Sequence, residues 1–380
     1  MGSLLLAAAL LPFYLVGLGI YRLYFHPLAS VPGPKLAALT QWYESYFELF
    51  HKGLGGQYTF HIRQLHEEYG PIVRISPGEV HIDDPDFYSN IYTYKRGLDK
   101  PASLQWRFGA PSALFSTPRH DVHKMRRAAQ DPFFSKRRIA QLAPQIQSKA
   151  DKMCSRLARD FIGGKKPVSL DNMFASYIAD VTTQYSFDRD FDWLGHEDFE
   201  SPFLKVIRGF KDIAHPCTQF PSLARVMTAV MKLMIKLAPP SMSLVLEFQE
   251  DMRKMVIGAQ EDLKNREKQD VGGDETTDKT IVHGILKSGL PEEELDLDLL
   301  KDHAVSLIGA GIASAQWTLT VAFFHIIADR QVYETLRQEL DEAIPDPHDL
   351  PSLEGVLEKL PYLMACVEEG RSFIPLIFLG

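Results

Sequence analysis

Three groups of side chains in this sequence have types and spacings that could do chemistry. His123 and Arg127 stand four residues apart, with Arg126 beside the second, so on a helix an imidazole and a guanidinium share one face. A donor ring and a planar fork suit two carboxylates, as in a dicarboxylate ligand. A solvated basic helix face is spelled the same way, and both readings stand at this point. Ser314 closes the run Gly309-Ala310-Gly311-Ile312-Ala313-Ser314. In a helix its hydroxyl reaches back to the Ala310 carbonyl one turn earlier and bends the axis. The small residues Ala310 and Gly311 let something large and flat approach the backbone there. Glu368 and Arg371 are three apart, a spacing at which an ion pair on a helix is possible.

Other chemistries are disfavoured. His120 and His123 are spaced i, i+3, but no third ligand is near, so no metal site is expected. Cys154, Cys217 and Cys366 lie far apart and suggest neither a disulfide framework nor a zinc spacing; reduced, buried thiols are the default. Gly309-x-Gly311 has no strand before it and Ser314 in place of a third glycine, which argues against a dinucleotide loop. No Gly-x-Ser-x-Gly elbow occurs, which counts against a hydrolase of that type. With 380 residues, 45% hydrophobic content and a net charge of −8, the chain can bury a large core and shows no electrostatic reason to bind nucleic acid.

These side chains need elements to place them. From Ala304 to Ala328 there is no Asp, Glu, Lys or Arg, and the apolar positions keep a helical period wide enough for burial nearly all round. Length alone allows a membrane span, but Ser306, Ser314, Gln316, Thr318, Thr320 and His325 lie inside it, and the amphipathic segment Asp329 to Ala343 follows directly. A plain core helix remains a competing reading. Gly2 to Tyr21 is uncharged and, as a helix, about 30 Å long, enough to cross a bilayer. No Lys or Arg precedes it, as a signal peptide would want, and Arg22, His26 and Lys35 follow it, so a retained anchor with the body in the cytoplasm is expected. Pro27 and Val31-Pro32-Gly33-Pro34 make a stiff, extended connector. A helix is predicted over Tyr58 to Tyr69, stopped by Gly70-Pro71, and then a hairpin of 72–75 and 79–82 about Ser76-Pro77-Gly78. Further helices are predicted over Asp121 to Gln130, Phe134 to Phe161, Ser169 to Phe187 and Pro240 to Lys268, with a polar loop over Gln269 to Lys279.

Several of these stretches together resemble the cytochrome P-450 family, the haem-thiolate monooxygenases, in its fungal secondary-metabolism form. They are "EEYGPIVRISPGEVHIDDPDFY", "HKMRRAAQDPFFS", "SLDNMFASYIADVTTQYSF", the central Ala310-Gly311-x-x-Ser314 and "LPYL" at Leu360 to Leu363. The resemblance implies a mainly α fold with a small β-sheet, an N-terminal transmembrane helix (1–25), a proline-rich hinge (26–37), a monooxygenase domain (38–370) and an unrelated tail (371–380). It implies that His123 and Arg127 hold haem propionates, that Ala310 and Gly311 bind the cofactor, and that Ser314 serves proton delivery as the catalytic hydroxyl. The family's acid and second threonine are Ala313 and Ala315 here. Aligned on "LPYL", Glu369 takes the place of the family's structural glutamate, and Arg371 that of a leucine. The segment 202–242 corresponds to the roof of the substrate cavity, with Phe203, Phe210, Phe220 and Met227 as candidate lining.

The family's axial cysteine stands in a Gly- and Arg-containing loop beyond "LPYL", and none of the three cysteines here has that context. The fold is therefore expected to lack its C-terminal haem-ligand region. Haem belongs to the intact family member and is not expected to be held stably by this chain. The implied partners are an NADPH-dependent reductase, a lipophilic, terpenoid-like substrate and the endoplasmic reticulum membrane. The resulting expectation is a monooxygenase inactive as given; the alternative is a non-catalytic, membrane-anchored remnant.

Overall fold

The computed structural model describes residues 2–53, 55–93, 96–163, 166–201, 203–233, 240–268, 280–346 and 356–372. The chain divides after Leu98 into two compact units. The predicted loop over Gln269 to Lys279 and the tail from Phe373 onward lie outside the described residues, as do the side chains of Phe203 and Met227.

The first unit begins with α1 (Gly2–Ile20), which ends in a wide π-type turn over Tyr21–Phe25. Short helices α2 (Lys35–Leu39) and α3 (Trp42–Leu49) follow, then α4 (Tyr58–Tyr69). α4 has the predicted ends: Gly70 takes φ +93°, open to glycine, and the chain turns into a strand. β1 (Ile72–Arg74) pairs antiparallel with β2 (Val80–Ile82) in the register Ile72 to Ile82, Val73 to His81 and Arg74 to Val80, which is the expected hairpin. α5 (Tyr88–Ile91) completes the unit. The proline-rich connector runs into α2, whose Ala37 and Ala38 are buried. Pro34 leads into that helix without costing it a donor, because the first turn's N–H groups have no intrahelical partner.

The second unit is helical: α6 (His120–Gln130), α7 (Lys136–Asp160), α8 (Leu170–Phe187), α9 (Phe203–Gln219), α10 (Pro221–Leu233), α11 (Pro240–Lys268), α12 (Ile281–Leu286), α13 (Leu297–Ala328), α14 (Arg330–Ala343) and α15 (Pro361–Ser372). Side-chain caps set several starts. Ser135, Ser169, Thr280, Asp296 and Asp329 each accept from a backbone N–H in the first turn of α7, α8, α12, α13 and α14. The Ser135 cap explains why α7 begins later than predicted, with Asp131–Phe134 forming a separate 3-10 turn.

α13 packs against α8, α11 and α15. Ile308 and Ile312 are fully buried, among Ala179 of α8 and Val245, Phe248, Met252 and Val256 of α11. Gly284 of α12 faces the Phe133 ring so closely that a Cβ there would lie 1.9 Å from it, and α12 can seat only on a glycine. A smaller core joins Met153 of α7 to Met173 and Phe174 of α8, Leu194 and Phe199. Its loop is held by Asp180, wholly buried, whose carboxylate accepts from the N–H of Trp193 (3.0 Å) and of Leu194 (3.1 Å). Burial raises the Asp180 pKa against the pull of those two donors.

Candidate functional site

The central helix has one open face among the described residues. Ala310, Trp317 and Phe324 are exposed and Ser314 is half-buried, a spacing that keeps them on one side. Ile308, Ile312 and Gln316 point the other way and are buried, and Ala313 is buried as well. Ser314 Oγ donates to the Ala310 carbonyl at 2.9 Å, the back-bond read from the sequence, and Thr318 Oγ1 repeats it onto the Ser314 carbonyl at 3.0 Å. The Ser314 proton is thus committed inside the helix, while the hydroxyl oxygen still has a lone pair for an outside donor. Gly311 stands at the α8 seam, where a Cβ would meet Thr182 Cγ2 at 3.4 Å. Of the small residues named from the sequence, Ala310 and Ser314 are on the open face and Gly311 is at the packed one.

His123 and Arg127 share a face of α6 as their spacing requires, and Lys100 joins them from the preceding loop. Burial and the charges of Lys100 and Arg127 push the His123 pKa down. Burial also lowers the Lys100 pKa, while its ammonium donates to the Phe115 carbonyl at 2.7 Å. Arg127 is paired with Asp131 at 2.5 Å, half exposed, and lies 5.6 Å from the Phe134 ring centre. Crowded cations of this kind are relieved by a bound anion. Lys100 was not legible in the sequence, because it is distant along the chain and no spacing rule links it to α6.

Arg126, one residue away, does different work. Its guanidinium grips Glu294 at 2.6 and 3.2 Å and donates to the Ser112 carbonyl and Thr117 Oγ1, both at 2.8 Å. The pair is nearly buried. It belongs to a polar knot under the start of α13. There Lys301 pairs with Asp302 at 2.8 Å, Asp302 Oδ2 accepts from Ser112 N at 2.9 Å, and Gln130 Nε2 lies 3.4 Å from His303 Nδ1. Burial, aided by the Arg126 charge, brings the His303 pKa down to about 4, and burial raises that of Asp302.

The three cysteines sit on helices: Cys154 on α7, Cys217 on α9 and Cys366 on α15. Against the expected buried thiols, Cys154 is exposed and Cys217 and Cys366 are partly buried; desolvation raises all three, Cys217 to about 11, and the Glu339 carboxylate adds to the effect at Cys366. Glu339 itself accepts from the N–H groups of Tyr362 (2.9 Å) and Leu363 (2.8 Å) and so fixes the start of α15. Arg371 pairs with Glu368 at 2.8 Å on the surface, while Glu369 is exposed beside it. Gly370 presses against α13, where a Cβ would be 2.8 Å from Ala322 Cβ.

Comparison with known proteins shows the family. The family model for cytochrome P-450 matches residues 39–376. Cytochrome P-450 monooxygenase sdnE of Sordaria araneosa is 38% identical over 366 residues, covering 96% of this chain and 70% of the relative. Conidiogenone synthase of Penicillium rubens is 35% identical over 94% of this chain and 69% of its own length. The N-acetyltryptophan 6-hydroxylase ivoC of Emericella nidulans is 34% identical over 97% and 70%. A family match from residue 39 to residue 376 and relatives at 34–38% identity over nearly the whole chain show that the chain belongs to the cytochrome P-450 family.

Proposed function

We propose that this chain carries the oxygen-side wall of a monooxygenase site for a lipophilic fungal secondary metabolite, with α1 as a single membrane anchor and the body in the cytoplasm at the endoplasmic reticulum. The observation that carries the reading is the pairing of Ala310 and Ser314 on one face of a helix whose preceding turns are mostly buried. Relatives named for hydroxylating acetyltryptophan and for making conidiogenone support a small organic substrate. Trp317 and Phe324 extend the same face with apolar surface suited to it.

The residues fit haem in part. A flat dicarboxylate macrocycle matches a face lined by Ala310 and Ser314, and its two carboxylates match Lys100, His123 and Arg127. The axial thiolate does not fit. The resemblance puts the axial cysteine in a Gly- and Arg-containing loop, and Cys154, Cys217 and Cys366 all stand on helices instead. No reaction step is therefore assigned to these 380 residues by themselves. They position a cofactor edge and a substrate wall, and electrons from an NADPH-dependent reductase would serve a site completed by a cysteine other than these three. The second reading, a non-catalytic anchored remnant, rests on the same helical placement of the three cysteines.

The test is haemin titration of the purified 380-residue chain followed by reduction under carbon monoxide. Haemin uptake that weakens in His123→Gln and Arg127→Gln, without the absorption typical of thiolate ligation, is the expected outcome. A stoichiometric complex showing that absorption would overturn the thiol argument and make Cys366→Ser the next variant to measure.

A further inference from the structure

The last turn of α4 and the second strand of the hairpin meet through two imidazoles. α4 packs on β1, and Leu65 of the helix and Val73 of the strand are both buried. Val73 stands opposite His81 in the strand register, and cross-strand partners share a face of the sheet. His81 therefore leaves β2 on the side where Val73 is buried, towards α4. There His66 Nε2 lies 2.7 Å from His81 Nδ1, with ring centres 5.0 Å apart, although fifteen residues separate the two along the chain. Sequence spacing singles out His120 and His123 instead, because no helical or strand period links His66 to His81.

The protons of the pair follow from their neighbours. His66 Nδ1 lies 2.7 Å from the Gly70 carbonyl, which can only accept. Nδ1 thus carries the proton of the neutral ring, and Nε2 keeps its lone pair, aimed at His81. The bond between the rings takes its proton from His81 Nδ1. An imidazole that gives one N–H to a backbone carbonyl and turns its other nitrogen outward is held as metal-binding histidines are held. Desolvation of the ring first, and the charge of His66 next, lower the His81 pKa, with Asp83 opposing. A neutral imidazole is the form that binds a metal. Two nitrogens bound to one ion at about 2.0–2.1 Å stand roughly 3 Å apart. His81 is exposed, so its ring has room to swing the few tenths of an ångström needed from 2.7 Å.

We propose that His66 and His81 form a two-nitrogen site for a divalent transition-metal ion that ties the end of α4 to β2. The ion binds His66 Nε2 and His81 Nδ1. The His81 proton moves to its own Nε2 and the ring stays neutral, so no proton is released. Among the described residues no third His, Cys, Asp or Glu completes a cluster, so water fills the remaining positions. The Asp83 carboxylate, two residues beyond His81, sets a negative charge close by. Imidazole nitrogen suits Cu²⁺, Ni²⁺ and Zn²⁺, with Cu²⁺ held tightest, and does not suit the oxygen-seeking Mg²⁺ or Ca²⁺.

The test modifies the histidines of the full chain with diethylpyrocarbonate and maps them by mass spectrometry across a titration with zinc chloride alone. His66 and His81 should become protected together, with one midpoint, and magnesium chloride should protect neither. In His81→Gln, His66 should need at least about 10-fold more zinc, since losing a mere supporting group already costs about 10–100-fold. That variant keeps the His66 contact with Gly70, so the end of α4 is left as it was. Should it fail to fold, the two midpoints in the wild type decide by themselves. Different midpoints for the two rings, an unchanged zinc requirement in His81→Gln, or no protection of the pair anywhere in the titration would each overturn the proposal. Any of these leaves a hydrogen-bonded pair that only joins helix to strand.

Discussion

The two halves of α13 are alike in composition and opposite in environment. From Leu300 to Ala313 most of the helix is buried, with Ala310 exposed, and its polar start is satisfied by neighbours. From Ser314 to Ala328 only Gln316 is buried, held by the Asp171 carboxylate at 2.8 Å, while Trp317, Phe323, Phe324 and Ile327 are exposed. Hydrophobicity therefore did not decide burial along this helix. What separates the halves is the supply of partners: α8 and α11 pack on the first, while the second keeps α8 at Gln316 and Phe323 and adds α15 at Thr318 and Ala322. The first half is where the core is densest, and the second leaves apolar side chains exposed.

The largest effect that would sharpen this contrast lies under the first half. Arg126→Ala strands Glu294 in a nearly dry site and should cost about 3–5 kcal/mol in urea unfolding, since breaking a buried pair leaves an uncompensated charge. Its neighbour Arg127→Ala removes a half-exposed pair and should cost no more than about 1 kcal/mol. Equal losses would break the distinction between the two arginines.

Next in size is a pH effect at His303. Its folded pKa of about 4 lies below the ordinary 6.5, so below pH 6.5 the unfolded chain binds a proton that the fold refuses. The stability this neutral ring carries is complete above pH 6.5 and is lost as pH falls towards 4, by up to about 3 kcal/mol. Asp302 has a raised pKa and opposes this trend on acidification. The informative measurement is the difference in slope between wild type and His303→Gln. Parallel curves from pH 7 to 4 would show that the ring is not held neutral by burial.

On the open half, Gly370→Ala pushes α15 off Ala322 and should cost about 1–3 kcal/mol, seen as faster amide exchange in α15 with α8 unaffected. Faster exchange in α8 as well would mean that the two halves unfold together. Smallest of all is Ser314→Ala. The hydroxyl bonds only within its own helix, and alanine is the better helix former, so stability should change by less than about 1 kcal/mol. A larger loss would place Ser314 in the packing rather than on the ligand face.

Much of this was legible in the order of residues because it is local. The ends of α4 follow from Gly70-Pro71, the hairpin from Ser76-Pro77-Gly78, the start of α14 from Asp329, and the Ser314 back-bond from a four-residue spacing. The shared face of His123 and Arg127 was equally local. Periodicity also gave the length of α13, but it announced burial nearly all round, which holds for only half of the helix. Tertiary structure alone decided that Arg126 turns to Glu294, that Lys100 joins the basic face, and that Arg74 binds the backbone of the proline-rich connector. Each of these depends on which groups from distant parts of the chain arrive at the same point. Spacing along a helix sets the direction in which a side chain leaves it, and only the packed neighbours set what it finds there.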